Sequence, residues 1–312
     1  MKFQTPSPPP RRLLLRRQMP LVFKSKLRVV LAAVLAALAA LALWAFWLEP
    51  ASVTVSRVSL RVPRWHAEHR GLKVAVLTDL HVGSPHMGLQ KLASVVGRAN
   101  DERPDVVLLL GDFLIGGPKD EGGERGGVVG GTFVEPEPIA EELRRLRAPL
   151  GVYAVLGNHD CWFDCGRTAR ALEAAGVRVL ENRAARVESN GRSLWLAGLG
   201  DLWTQRPDVE GALRQVEGED PVILLTHNPD IFPRVPARVS LTVAGHTHGG
   251  QVNLPLFGRA VVPSQFGQRY AMGHVVEGGR HLFVSGGVGT SIIPVRFRVP
   301  PEVVILSLEL GP

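Results

Sequence analysis

The sequence predicts an α/β domain built on two sheets and reached after one N-terminal membrane-spanning helix, and three observations carry that prediction. From Leu72 onward, short apolar runs alternate with amphipathic segments, the rhythm of strands and helices. The strand-like runs outnumber the helical ones, which points to two sheets rather than one. Val29 to Leu48 holds no charge, and at about 1.5 Å per residue a helix of that length crosses the roughly 30 Å hydrocarbon core.

Taken in order, residues 1 to 26 are rich in Pro and Arg and predict a disordered basic tail, with the tail's last charge at Arg28. Arg11-Arg12-Leu13-Leu14-Leu15-Arg16 loosely resembles a twin-arginine export signal set well ahead of the apolar run. The span 29–48 follows. A buried core helix has a similar composition, but basic flanks and a charge-free run of this length favour a membrane anchor, with Trp44 and Trp47 at an interface. No small-x-small site follows Leu48, so an uncleaved anchor is expected. Basic residues before the span and Glu49 after it place the N-terminus in the cytoplasm and the rest across the membrane.

Ser52 to Val62 alternates like an edge strand, and the folded domain is expected over 52–312. Strands are predicted at 72–78, 105–110, 151–156, 184–188, 193–198, 221–226, 240–244, 281–285 and 302–309. A helix carries Leu89, Leu92, Val96 and Ala99, and others are expected near 138–147 and 166–175. The Gly-rich stretch Gly116 to Gly131 has no periodicity and reads as a surface loop, either a lid over a site or a tolerated insertion.

Charge narrows the partners. Of the 36 Lys and Arg residues, eight lie in the first 28 positions, which contain none of the 29 acids, so the remainder is nearly neutral. A broad basic face for a nucleic-acid backbone is therefore not expected. The two cysteines, Cys161 and Cys165, leave open a disulfide, a redox pair or packed thiols, and an exported domain favours the disulfide.

Five polar clusters each fall just past a predicted strand, where α/β sheets place their ligand sites. They are Thr78-Asp79-Leu80-His81, Gly111-Asp112, Gly157-Asn158-His159-Asp160, Thr226-His227-Asn228 and Gly245-His246-Thr247-His248-Gly249. Any one alone is usually a solvated turn or a structural histidine. Together they supply carboxylate, amide and imidazole donors that suit Mn²⁺, Fe or Zn²⁺. Seven donors exceed the needs of one ion, and a carboxylate can bridge two ions about 3.5–4 Å apart.

The ordered set D-x-H, G-D, G-N-H-D, H and G-H-x-H, running from about residue 71 to 309, resembles the calcineurin-like metallophosphoesterase superfamily. The segments Leu225 to Asp230, Ala244 to Gln251 and Pro294-Val295-Arg296 before Pro300-Pro301-Glu302 resemble its membrane-anchored bacterial phosphodiesterases of the YkuE/YaeI kind. The resemblance implies a four-layer α-β-β-α sandwich of two mixed sheets. It implies that Asp79, His81 and His248 bind one metal, that Asn158, His227 and His246 bind a second, and that Asp112 bridges them. His159 would face the phosphate and stabilise or protonate the leaving oxygen, with Asp160 orienting it. Where many relatives read G-D-x-x-D-G, this chain has Ile115 in place of the second acid, which is not a ligand. Trp162 and Phe163 either pack the substrate or cap the core.

The expected activity is hydrolysis of phosphoesters, diesters first, by hydroxide held between two divalent cations. An anchored domain would meet lipid head groups, lipid-linked sugar phosphates or envelope polymers. A UDP-2,3-diacylglucosamine-type pyrophosphate hydrolase is the runner-up, although that reaction is cytoplasmic and conflicts with the topology. A non-catalytic, metal-stabilised envelope binding module would be expected to have lost ligands or the phosphate-facing histidine, and none is missing here.

Overall fold

The structure is a computed structural model describing residues 1, 21–117 and 127–311. Most of the expected basic tail, including the Arg-Arg segment, and the centre of the Gly116–Gly131 loop lie outside the described residues. The chain divides into two units, Met1–Ala42 and Leu43–Pro312.

The first unit contributes a helix over Leu21–Leu43, so helical structure starts ahead of the expected Val29. Lys26 and Arg28 explain the difference, because Lys and Arg are good helix formers and end an apolar span without ending a helix. The apolar helical run Ser25–Ala51 is long enough to cross a membrane, and it is the one such helix among the described residues.

The second unit begins with a π-helical turn, Trp44–Leu48, and a last helical turn, Glu49–Ala51. Glu49 is buried, accepting from Trp44 Nε1 and from the Val299 backbone N–H, both at 2.6 Å. Arg296 N–H donates to Ala45 O at 2.9 Å, and the His86 ring lies 3.0 Å from Phe46 O. These bonds fasten residues 44–51 to the domain body.

Five strands then form: β1 (Thr54–Val62), β2 (Leu72–Leu77), β3 (Val106–Leu110), β4 (Val152–Val155) and the short β5 (Arg178–Val179). Six more build a second sheet: β6 (Arg183–Ser189), β7 (Arg192–Gly198), β8 (Val222–Leu225), β9 (Leu241–Ala244), β10 (Gly273–Glu277) and β11 (Arg280–Val284). Finally β12 (Glu302–Leu310) returns to the first sheet. The orders are β1-β12-β2-β3-β4-β5 and β10-β11-β9-β8-β7-β6. Both sheets are mixed: β12 runs parallel to β1 and antiparallel to β2, while β6/β7 and β10/β11 are antiparallel pairs.

Alternation along the strands sets the layers. Ala75, Leu77, Val107 and Leu109 face helices Leu89–Asp101, Pro136–Leu143 and Cys165–Ala174, whereas Val74, Val76, Val106 and Leu108 face Ile223, Leu225, Leu241 and Val243 of the second sheet. Ala197, Leu224 and Val284 face outward onto Ala212, Ile231 and Phe232. The result is the expected α-β-β-α sandwich. The edge strand β1 is also as predicted, whereas β5, β10 and the helix Asn158–Phe163 carry too little pattern to be read from sequence.

Candidate metal centre

All five polar clusters follow strand ends: β2, β3 and β4 are neighbours in one sheet, and β8 and β9 are neighbours in the other. The site therefore spans the seam between the sheets. Its backbone is unusual, because Asp79, His81, Asp112, His246 and His248 all have positive φ, between 43° and 69°. Non-glycine residues rarely adopt that region, and it persists where packing over-determines it, commonly at functional sites.

Two glycines make the crowding possible. A Cβ on Gly157 would stand 2.2 Å from Asp112 Oδ1, and one on Gly245 would stand 2.6 Å from Asp79 Oδ2. Asp160 completes the scaffold from the first turn of helix Asn158–Phe163. Its carboxylate accepts from the backbone N–H groups of Asp112, Phe113, Leu114 and Gly157, at 2.9 to 3.2 Å. The Asp160 oxygens are committed to backbone donors, and among the described residues His159 Nδ1 has no hydrogen-bond partner.

The structure brings the seven expected donors into one buried cluster. Ligand atoms of Asp79, His81 and His248 lie within 4.8 Å of one another, as do those of Asp112, His227 and His246. Asn158 Oδ1 is 3.2 Å from His227 Nε2. Asp112 Oδ2 stands between the groups, 3.4 Å from His81 Nε2 and 3.3 Å from His227 Nε2.

Whether these donors suit cations can be tested on their hydrogen bonds. His81 Nδ1 lies 3.1 Å from Leu114 O and His227 Nδ1 lies 2.7 Å from Leu110 O. A carbonyl only accepts, so each Nδ1 carries a hydrogen and each ring turns its Nε2 inward. His81 Nε2 then meets His248 Nε2 at 3.0 Å, and His227 Nε2 meets Asn158 Oδ1, Asp112 Oδ2 and His246 Nδ1. Converging lone pairs in a buried pocket repel unless positive charge lies among them. The donor set fits divalent metal.

The electrostatics agree. Burial pushes His81 and His246 down to about 3 and His248 well below its usual value, leaving these rings neutral and able to ligate. Burial raises Asp79 to about 6 against the pull of His227. Asp112 is held well below the carboxylate range although burial opposes it, because His227, His159 and His81 surround it. His227 is correspondingly raised despite burial by Asp112, which makes it the place for a proton when no cation balances the cluster.

His159 sits at the rim of the cluster. Its Nε2 is 4.0 Å from Asp112 Oδ2, and its ring packs edge-on against His81 and tilted against Trp162. Above it opens a cleft of about 340 Å³ whose floor includes Asp112, Asn158 and His246 and whose walls include Trp162, Trp203 and Val261. The aromatic pair separates: Trp162 lines the cleft, while Phe163 packs on Phe133 at 5.0 Å. Ile115 is buried in the core.

Sequence reasoning missed Trp203, which stands edge-on over His246 with ring centroids 4.3 Å apart. Its signal was Gly200-Asp201, one residue past the end of β7, another polar turn at a strand end, where Asp201 accepts from Trp203 N–H at 3.0 Å. Cys161 and Cys165 form a disulfide, against which Gln205 Nε2 packs at 3.4 and 3.1 Å.

The calcineurin-like phosphoesterase family pattern matches residues 72–250. The chain is 29% identical over 266 residues to YkuE, an uncharacterized metallophosphoesterase of Bacillus subtilis, covering 84% of this chain and 88% of YkuE. It is 31% identical over 242 residues to the phosphodiesterase YaeI of Escherichia coli, covering 76% and 82% of the two chains. A Danio rerio transmembrane protein with a metallophosphoesterase domain is 28% identical over 296 residues, covering 90% of this chain and 63% of the longer fish protein. With more than half its length matched and side chains that could hold metal ions gathered in one pocket, the chain belongs to the calcineurin-like phosphoesterase family and is a metal-dependent phosphoester hydrolase.

Proposed function

We propose that this chain hydrolyses phosphodiesters at a centre for two divalent cations, Mn²⁺, Zn²⁺ or Fe, with Asp79, His81 and His248 holding one, Asn158, His227 and His246 the other, and Asp112 both. The observation that carries the reading is the position of Asp112 Oδ2, within 3.4 Å of an imidazole from each group. When bound, the cations neutralise phosphate oxygens and acidify a water so that it attacks near neutral pH.

The chain's own residues do the rest. His159 has an uncommitted Nδ1, and its side chain is 7% exposed. It holds the proton that the departing alkoxide takes up. Trp162 and Trp203 wall the cleft and narrow the access of bulk water to the phosphate. Asp160 holds the Asp112–Leu114 turn so that the bridging carboxylate is already aimed.

We assign residues 1–28 to a cytoplasmic tail, 29–48 to the anchor and 52–312 to the catalytic domain outside the cytoplasm. The Cys161–Cys165 disulfide supports that side, since such bonds persist in oxidising compartments. Purified full-length chain with Mn²⁺ is expected to bind two metal equivalents and hydrolyse bis(p-nitrophenyl) phosphate in a chelator-sensitive way. Two bound metals without turnover would reject the reading.

A further inference from the structure

We propose that the rim of the metal cleft is a bilayer-docking surface, and that the substrate is an acyl-chain-bearing phosphodiester drawn from the lipid leaflet. The inference rests on the phosphodiesterase reading above and adds the class of its substrate.

Three loops and one helix end carry it. The first loop closes on paired backbone bonds between Leu254 and Gly258, both 2.9 Å. It presents Leu254, Pro255, Leu256 and Phe257 consecutively to solvent. Leu256, at the tip, is fully exposed and has φ 71°, a conformation that disfavours leucine. An exposed run of apolar residues on a strained tip has no folding rationale, because burial does not reward it and glycine would relieve it.

The second loop holds Ile292 and Ile293, 69% and 48% exposed. The third contributes Val129, 66% exposed, whose N–H donates to Ile292 O. Phe46, Trp47 and Leu48 are exposed at the helix end.

Backbone bonds join these pieces into one surface. Asn253 N–H donates to Phe297 O and Phe297 N–H to Gln251 O, which ties the first loop to the second. Arg296 N–H donates to Ala45 O, which ties the second loop to the helix end. Between Asp230 and Glu277, and between Glu277 and Glu302, there is no acidic residue, whereas Arg259 and Arg298 lie in these segments. The two loops drawn from those segments are thus apolar, free of acids and lightly basic, which suits an anionic leaflet.

The occupant follows from continuity. Phe46 to Leu48 lie near the end of the one helix among the described residues that is long and apolar enough to cross a membrane, and Trp and Phe at that position belong at the interface. Loops bonded to that turn are held beside it. The link to chemistry is that Val261 and Ile292 belong to both surfaces: each is exposed on the rim, and each lines the cleft over His246 and Asp112. An acyl chain can thus run from leaflet to cleft wall while its phosphate reaches the floor. Water then adds to phosphorus, one P–O bond to an alcohol breaks, and that alcohol leaves with the proton.

The test uses full-length chain, metal-loaded, in nanodiscs of phosphatidylcholine and phosphatidylglycerol. The double variant Leu256→Glu with Phe257→Glu, neither of which lines the cleft, is expected to keep its metal and its bis(p-nitrophenyl) phosphate turnover within about twofold. Its hydrolysis of the lipid diesters is expected to fall at least about tenfold. Equal lipid hydrolysis by variant and wild type overturns the inference, as does a wild type that cleaves the soluble diester but no lipid. If the loaded wild type cleaves neither, the phosphodiesterase reading falls and this one with it.

A second measurement does not depend on turnover. A nitrobenzoxadiazole label on Leu256→Cys should be quenched by brominated acyl chains. The same label on Glu173→Cys should not, because Glu173 ends a helix that returns the chain to the start of β5, away from the strand ends. No quenching at residue 256 overturns docking. Quenching replaced by self-association that the double variant abolishes would assign the surface to a second copy of the chain instead.

Discussion

Asp112 and His159 share one wall of the cluster yet do different work, and substitution separates them. Among the described residues, Asp112 Oδ2 is the one carboxylate oxygen within reach of imidazoles from both donor groups. Asp112→Ala is expected to leave less than one metal equivalent bound and no measurable diester hydrolysis, read by metal analysis alongside turnover. His159 donates its backbone N–H to Asp112 Oδ1, at 2.9 Å, and although its ring comes within 4.8 Å of His81 and Asp112, each of the two assigned groups closes without it. His159→Ala should keep its full metal content and lose about 10²–10⁴-fold in rate, the usual contribution of a positioned general acid. Wild-type turnover in that variant would remove His159 from the mechanism. Both residues were legible in sequence from the strand-end clusters. The committed state of the Asp160 oxygens was not, because its four donors come from two segments about fifty positions apart.

At the scale of elements, the turn after β3 and the helix after β4 form one unit pinned by Asp160. Removing that carboxylate strands four buried N–H groups, each at about 1–3 kcal/mol. Asp160→Ala is therefore expected to destabilise the domain by more than about 3 kcal/mol, lowering its thermal midpoint and its metal occupancy together. A variant with an unchanged midpoint would show that the turn holds itself. Helix Asn158–Phe163 escaped sequence reading because Asn, His, Asp and Cys are indifferent helix formers and the apolar pattern spans less than two turns. Strand β10 escaped because it opens on a glycine and has only a hairpin partner. Longer elements such as β12 and helix Leu89–Asp101 announced themselves by period.

Across the whole molecule, stability should carry the mark of a buried acid outside the metal cluster. Burial raises Glu181, which accepts from Leu156 N–H, to about 7. A raised carboxyl binds more protons folded than unfolded, so stability falls as pH rises from the ordinary carboxylate range through about 7. Glu181→Gln keeps the accepting oxygen and removes the charge. Its thermal midpoint should match wild type near pH 4 and exceed it increasingly up to pH 8; a constant offset would contradict the assignment. On this scale, the order of the longer strands and helices, the apolar span and the residue types able to act as donors were all determined by the sequence itself, because periodicity, charge and residue chemistry are local properties of the chain. The two sheets folding face to face, the meeting of Asp79 with His246 across 167 positions, the entry of Trp203 and the joining of exposed loops to the turn Trp44–Leu48 were decided only by tertiary structure. The physical reason is that convergence depends on how strands pair and sheets pack, and those are contacts between residues that carry no sign of one another along the chain.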